Sequence, residues 1–189
     1  MKVRKIPLLT GLSVLLMAVL ACTINIGGPA YPNQPIPVST EAAGELLSNA
    51  QTAVASGTES GQVTLVVTEP QLTSYLAAQL QTQAQPLLTN PQVYLRNGQI
   101  QIYGTAMQGY FQANILIVVT AGVDSQGQVL IDISTADFGP MPVPAGLKDT
   151  VTAAIQEAYT GAIGPAAIGF RLESITVANG TMTIVGRTK

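Results

Sequence analysis

Residues 110–123, YFQANILIVVTAGV, constrain the fold more than any other stretch of this chain. Every odd position is apolar: Phe111, Ala113, Ile115, Ile117, Val119, Ala121 and Val123. A period of two places these side chains on one face of a single long strand, whereas a helix would scatter them around its circumference. The even positions begin polar, at Gln112 and Asn114, and turn apolar at Leu116 and Val118. Such a strand needs a sheet with one face in a core.

The flanking sequence supplies that sheet. Asn97-Gly98 separates Gln92–Arg96 from Gln99–Met107, and both central residues of a type I′ hairpin turn need positive φ, which Asn and Gly tolerate. Gln108-Gly109 turns the chain into the long strand. Asp124-Ser125-Gln126-Gly127 turns it out again into Gln128–Asp137, where Val129, Ile131 and Ile133 share a face. A second Asn-Gly pair, Asn179-Gly180, joins Arg171–Ala178 to Thr181–Arg187. Val63–Val67 is a further short strand.

Three helices are expected. One starts after Ser39-Thr40, runs to about Ala55 and is ended by Gly57. Thr68-Glu69-Pro70-Gln71 has capping-box form and opens a second, which buries Leu72, Leu76, Leu80 and Ala84 and stops at Pro86. After the rigid crossover FGPMPVP, Leu147, Val151, Ile155 and Tyr159 form one stripe of a third, from about Ala145 to Thr160. The order predicts an α+β fold: a curved antiparallel β-sheet of about seven strands, meander plus C-terminal hairpin, packed on two or three amphipathic helices.

Residues 1–21 read as a bacterial lipoprotein signal peptide. Lys2, Arg4 and Lys5 form a basic region, Leu8–Leu20 an apolar one, and Val19-Leu20-Ala21-Cys22 fits the lipobox pattern. The apolar run is short for a membrane-spanning helix, which takes about 20 residues. Cys22, the single cysteine of the chain, is the expected lipid attachment site. Two acyl chains meet the two-signal condition for stable anchoring. The protein is therefore expected outside the cytoplasm, lipid-anchored to the outer face of the cytoplasmic membrane. Thr23, which is not Asp, permits sorting to an outer membrane if the cell has one. Residues 22–38 combine the lipidated Cys with a Gly/Pro-rich tether, which at ~3.1 Å per residue could span up to ~50 Å. Residues 39–189 suit one α+β domain.

Composition removes most catalytic classes. The 189 residues include no His and no Trp, so imidazole-dependent triads lack their base. With Cys22 committed, no thiolate or imidazole remains for a zinc site, and no cofactor is implied. The mature chain keeps five basic residues against ten acidic ones, a formal charge of −5, which is unsuited to nucleic acid. Charged residues are only 10% of the chain, and 20 Thr and 16 Gln supply much of its polarity. Asp132 and Asp137 lie five apart on one strand and face opposite sides, so they form no catalytic pair there. No local motif marks an enzyme.

Three stretches carry a family resemblance: VTLVVTEPQLTSYL (63–76), NPQVYLRNGQIQIYG (90–104) and SITVANGTMTIVG (174–186). Together they resemble the YpmS-like membrane-anchored extracytoplasmic proteins and the LmeA-like phospholipid-binding domain, over about residues 62–187. These groups are similar to tubular lipid-binding folds, in which a curved sheet wraps a helix around a lipid chain. The resemblance implies lipid binding or handling; its motifs are structural, so no functional residue carries over. A lipobox stands where some relatives have an uncleaved anchor. On this reading a groove for a phospholipid or fatty acyl chain is lined by Leu72, Leu76, Phe111, Ile115, Ile117, Val119, Leu147, Val151 and Ile155. The same residues equally suit a filled core in a cell-envelope scaffold or interaction module, because pockets and cores share residue types.

Overall fold

The computed structural model describes residues 24–84, 86, 88–143, 145 and 170–188. The fold is α+β, with eight strands and two helices among the described residues. The strands are β1 (Ile24–Asn25), β2 (Gln62–Thr68), β3 (Thr89–Arg96), β4 (Gln99–Gln108), β5 (Phe111–Val123), β6 (Val129–Asp137), β7 (Phe170–Ala178) and β8 (Thr181–Thr188). The helices are α1 (Thr40–Ser60) and α2 (Glu69–Gln81). The expected third helix lies, apart from Ala145, outside the described residues, as do Leu147, Val151, Ile155 and Cys22.

Two sheets replace the expected single one. The first is a curled half-barrel in the order β3-β4-β5, with β6 and β1 sharing the remaining edge of β5. Antiparallel β6 covers Leu116–Val123 and β1 runs parallel beside Phe111 and Gln112. The second sheet, β2-β8-β7, is antiparallel. The C-terminal hairpin thus joins β2 and does not extend the meander. The seven-residue ladder between β2 and β8 sets that pairing, and the Asn-Gly turns lock the two sheets tip to tip. The Gly98 N–H donates to the Val177 carbonyl and the Gly180 N–H to the Leu95 carbonyl, at 3.2 and 3.0 Å. Asn97 and Asn179 both have the positive φ that the turn chemistry requires.

Local signals set the helix ends. The Ser39 hydroxyl accepts the Ala42 N–H, and α1 passes Gly57 to end at a left-handed Gly61. A glycine inside a helix lowers its stability without ending it, so Gly57 is not the stop that the sequence suggested. Thr68 and Gln71 form the expected capping box.

A bulge leaves Ser134 without a partner in the β5–β6 ladder, and its hydroxyl donates to the Val118 carbonyl. Such a bulge also shifts parity, so Asp132, opposite Thr120, and Asp137, opposite Leu116, lie on one face of the sheet and not on the opposite faces that strict alternation gives them. The main core lies on the concave face of the half-barrel, where Leu88, Val93, Leu95, Ile115, Ile117 and Val119 meet Phe138 and Val177. A second cluster, around Leu46, Ala50, Leu65, Val67 and Ile184, packs α1 on the smaller sheet. Leu72 and Met182 pack against both clusters and so join them.

Candidate functional site

The apolar concave face is where the sequence places a groove, and the structure brings five of its residues together. Ile115, Ile117 and Val119 are fully buried on β5. Leu72 and Leu76 of α2 pack against the same cluster, partly buried. Phe111 has the parity of this face but stands at the start of the strand, 48% exposed, outside the core. Small side chains follow it inward: Ala106 opposite Ala113, then Gly104 opposite Ile115. A methyl group on Gly104 would meet Leu88, whose side chain fills the space above it.

Helix α2 is held over this face by polar contacts that hydrophobic periodicity does not register. Strand β3 is an edge, and its outward N–H groups need acceptors. Leu95 N–H donates to Glu69 Oε1 at 2.8 Å and Val93 N–H to Thr73 Oγ1 at 3.0 Å. Residues four apart on a helix advance about 6 Å and residues two apart on a strand about 6.6 Å, so the two rows match. Thr73 and Ser74 are fully buried for this reason, and the Ser74 hydroxyl accepts the Ser39 N–H.

The opposite face of β3 and β4 carries the second feature. Residues 24–38, read from sequence as a free spacer, are docked there along much of their length. The Gln92 side-chain amide clasps the backbone of Ile36, accepting its N–H and donating to its carbonyl. The Tyr94 hydroxyl donates to the Gln34 carbonyl at 2.8 Å. Tyr31 lies against Tyr103 and hydrogen-bonds Thr105, while Tyr94 meets Tyr103 edge-on. Burial raises the pKa of both Tyr31 and Tyr94, because a phenolate there would lose its hydration; the Thr105 bond and the Arg96 charge respectively oppose the shift. Further upstream, β1 completes the edge of β5. Ile24 N–H donates to Tyr110 O, Ile26 N–H to Gln112 O, and Asn114 N–H to Gly27 O, all within 2.9 Å. The physical cause is the length mismatch between β5 and β6, which leaves the first residues of β5 an open edge.

A polar pocket of about 380 Å³ sits where the two hairpin turns meet, lined by Glu69, Arg96, Asn97, Asn179 and Gly180. Its groups are occupied with holding the turns together. Glu69 Oε1 already accepts the Leu95 N–H and lies 3.6 Å from Arg96 Nε, and Arg96 also stacks over Tyr94. Among the described residues no three carboxylate or thiol groups come together to hold a metal ion. Nor is any described helix long and apolar enough to cross a membrane, which says nothing of membrane-spanning strands. The chain matches no protein-family model and no curated protein.

Proposed function

We propose that this protein is a bacterial lipoprotein, anchored through acylated Cys22 outside the cytoplasm, whose domain binds an apolar molecule by sequestration and without catalysis. A phospholipid or fatty acyl chain is the ligand class. The supporting observation is the concave apolar face of the half-barrel, which continues from Ile115 through Ala113 to exposed Phe111 at the start of the strand. Each acyl methylene taken from water there contributes ~0.8 kcal/mol, so eight would supply ~6 kcal/mol before the binding entropy is subtracted. The YpmS-like and LmeA-like resemblance points the same way.

Two measurements test the reading. Cys22→Ser should move the protein from the membrane fraction to the soluble one, and continued membrane association overturns the anchor. Lipid extraction from the Cys22→Ser protein, purified without detergent, should yield a co-purifying phospholipid or fatty acid. Absence of any such lipid, with no uptake of a fluorescent fatty acid, removes the ligand. The full burial of Ile115, Ile117 and Val119 favours a second reading, an envelope interaction module with a filled core. That reading predicts this negative outcome with the anchor intact.

A further inference from the structure

The described chain begins against the β4–β5 hairpin, and that end of the molecule exposes apolar side chains on both faces, beside the uncharged Asn25, Gln108 and Gln112. Ile24 sits beside Phe111 in the β1–β5 register, on the same side of the sheet. Tyr110 occupies the turn, and Met107 lies one residue before the end of β4, on the opposite face from Phe111. These four side chains are 53% (Ile24), 48% (Phe111), 70% (Tyr110) and 56% (Met107) exposed. Four exposed apolar side chains thus gather at one end of the sheet, on both of its faces and at its turn, and concentrations of this kind mark contact surfaces.

Three observations identify what covers it. First, Cys22 lies only two peptide units before Ile24, so their Cα atoms are at most about 7.6 Å apart. If Cys22 is acylated, the tip cannot be far from the bilayer surface. Second, residues 24–35 and 99–114 contain no charged side chain, so no ion need be desolvated as the tip enters the interface. Third, the sheet has no open edge at this end along the start of β5, because β1 takes up its outward backbone groups at Tyr110, Gln112 and Asn114. Unpaired backbone polar groups are the main barrier to placing a strand in lipid, and along the start of β5 they are already paired. Tyr110 at the apex suits the headgroup level, where amphipathic rings gather.

We infer that the β4–β5 tip, with Ile24, inserts into the lipid interface beside the anchor and points the start of β5, where the apolar face reaches exposed Phe111, at the membrane. This rests on the lipoprotein reading of Cys22. The insertion is edge-on and shallow, a monotopic contact that leaves the two sheets outside the bilayer. It gives the apolar concave face a route to lipid, since Phe111 belongs both to the tip and to the strand face that runs inward.

The absence of tryptophan from the chain makes the test clean, because a single introduced indole reports alone. The full-length protein carrying Tyr110→Trp is purified from membranes in detergent and reconstituted into phosphatidylcholine vesicles with or without brominated acyl chains. Leu130→Trp is the matched control. Leu130 is 56% exposed but pairs opposite Gly122, about 36 Å along β5 from Phe111. Both positions are exposed, so neither variant disturbs the core. The expected result is blue-shifted emission, quenched by bromolipid, for Tyr110→Trp, with red emission and no quenching for Leu130→Trp. Protein that floats with the vesicles while Tyr110→Trp stays unquenched overturns the tip and leaves the anchor standing. Protein that fails to float overturns both. A blue shift that appears without lipid and grows with protein concentration assigns the tip to self-association and also overturns the proposal.

Discussion

Gln92→Leu tests whether the N-terminal segment is part of the domain or merely leads to it. The side chain makes two hydrogen bonds to Ile36, one to its N–H and one to its carbonyl, and Ile36 is itself buried. Leucine keeps much of the volume and removes both partners. Each lost bond costs ~1 kcal/mol net, so local docking weakens by ~2 kcal/mol, and any desolvation penalty on the orphaned backbone groups adds to that. Since 1.36 kcal/mol is a factor of ten, the local opening equilibrium rises about 30-fold.

Amide hydrogen exchange reads this directly, because the Ile36 N–H is the donor in one of the two bonds. Its exchange should accelerate by about that factor. The Val93 N–H, bonded to Thr73, serves as the internal reference. Unchanged protection at Ile36 refutes the docking. Equal acceleration at Ile36 and Val93 also refutes the reasoning, since it means that the whole domain has lost stability.

Thr73→Val leaves the Val93 N–H buried beside an apolar group, and urea unfolding should show a loss of ~1–3 kcal/mol, larger than an exposed threonine would give. Ile117→Ala removes a fully buried side chain from the concave core, so the same assay should show a loss of ~2–5 kcal/mol, and a smaller loss would reveal space already present there. Tyr94→Phe removes the bond to Gln34 at a cost of ~1 kcal/mol near neutral pH. Because the folded-state pKa of Tyr94 is raised above 10.0, the tyrosine's contribution is fully present below that pH and falls as pH rises through the folded pKa. Alkaline unfolding should therefore begin at lower pH in the wild type than in the phenylalanine variant, relative to each protein's own neutral stability, and equal onsets would contradict the burial assigned to this ring.

Periodicity and turn chemistry carried the meander. The odd positions of β5 from Ala113 to Val119 are buried, and Asn97-Gly98 and Asn179-Gly180 sit at the hairpin tips. The same signals could not say which strands pair. Only the β2–β8 ladder shows that the C-terminal hairpin joins β2, and only the hydrogen bonds between the two Asn-Gly turns show that the sheets meet tip to tip; a turn dipeptide announces neither partner. On the candidate site, Leu72, Leu76, Ile115, Ile117 and Val119 were legible because each has the parity or spacing of its element. Phe111 has the right parity too, but face is not burial: no described helix covers the end of the strand where it lies. Thr73 and Ser74 were illegible, since burial of a polar residue outside a cap depends on which backbone groups of other elements need an acceptor.

The docked N-terminal segment was the least visible feature, and it changes the geometry of the proposed attachment most. Gly and Pro give residues 24–38 no periodicity, and their partners, Gln92 and Tyr94, occupy the strand face that alternation assigns to water. A free spacer would let the domain sit at any height up to ~50 Å and in any orientation. The three β1 hydrogen bonds, at ~1 kcal/mol each, disfavour that detached state by roughly 150-fold before any side-chain contact is counted. If Cys22 is acylated, two peptide units hold the Ile24 end within about 7.6 Å of the anchor, which limits height and leaves orientation to the contacts of the tip. Residues 24–35 and 99–114, which form the described end nearest Cys22, carry no charge, so the side of the sheet to which β1 brings the chain is also the side favoured by transfer of Tyr110, Phe111 and Met107 out of water.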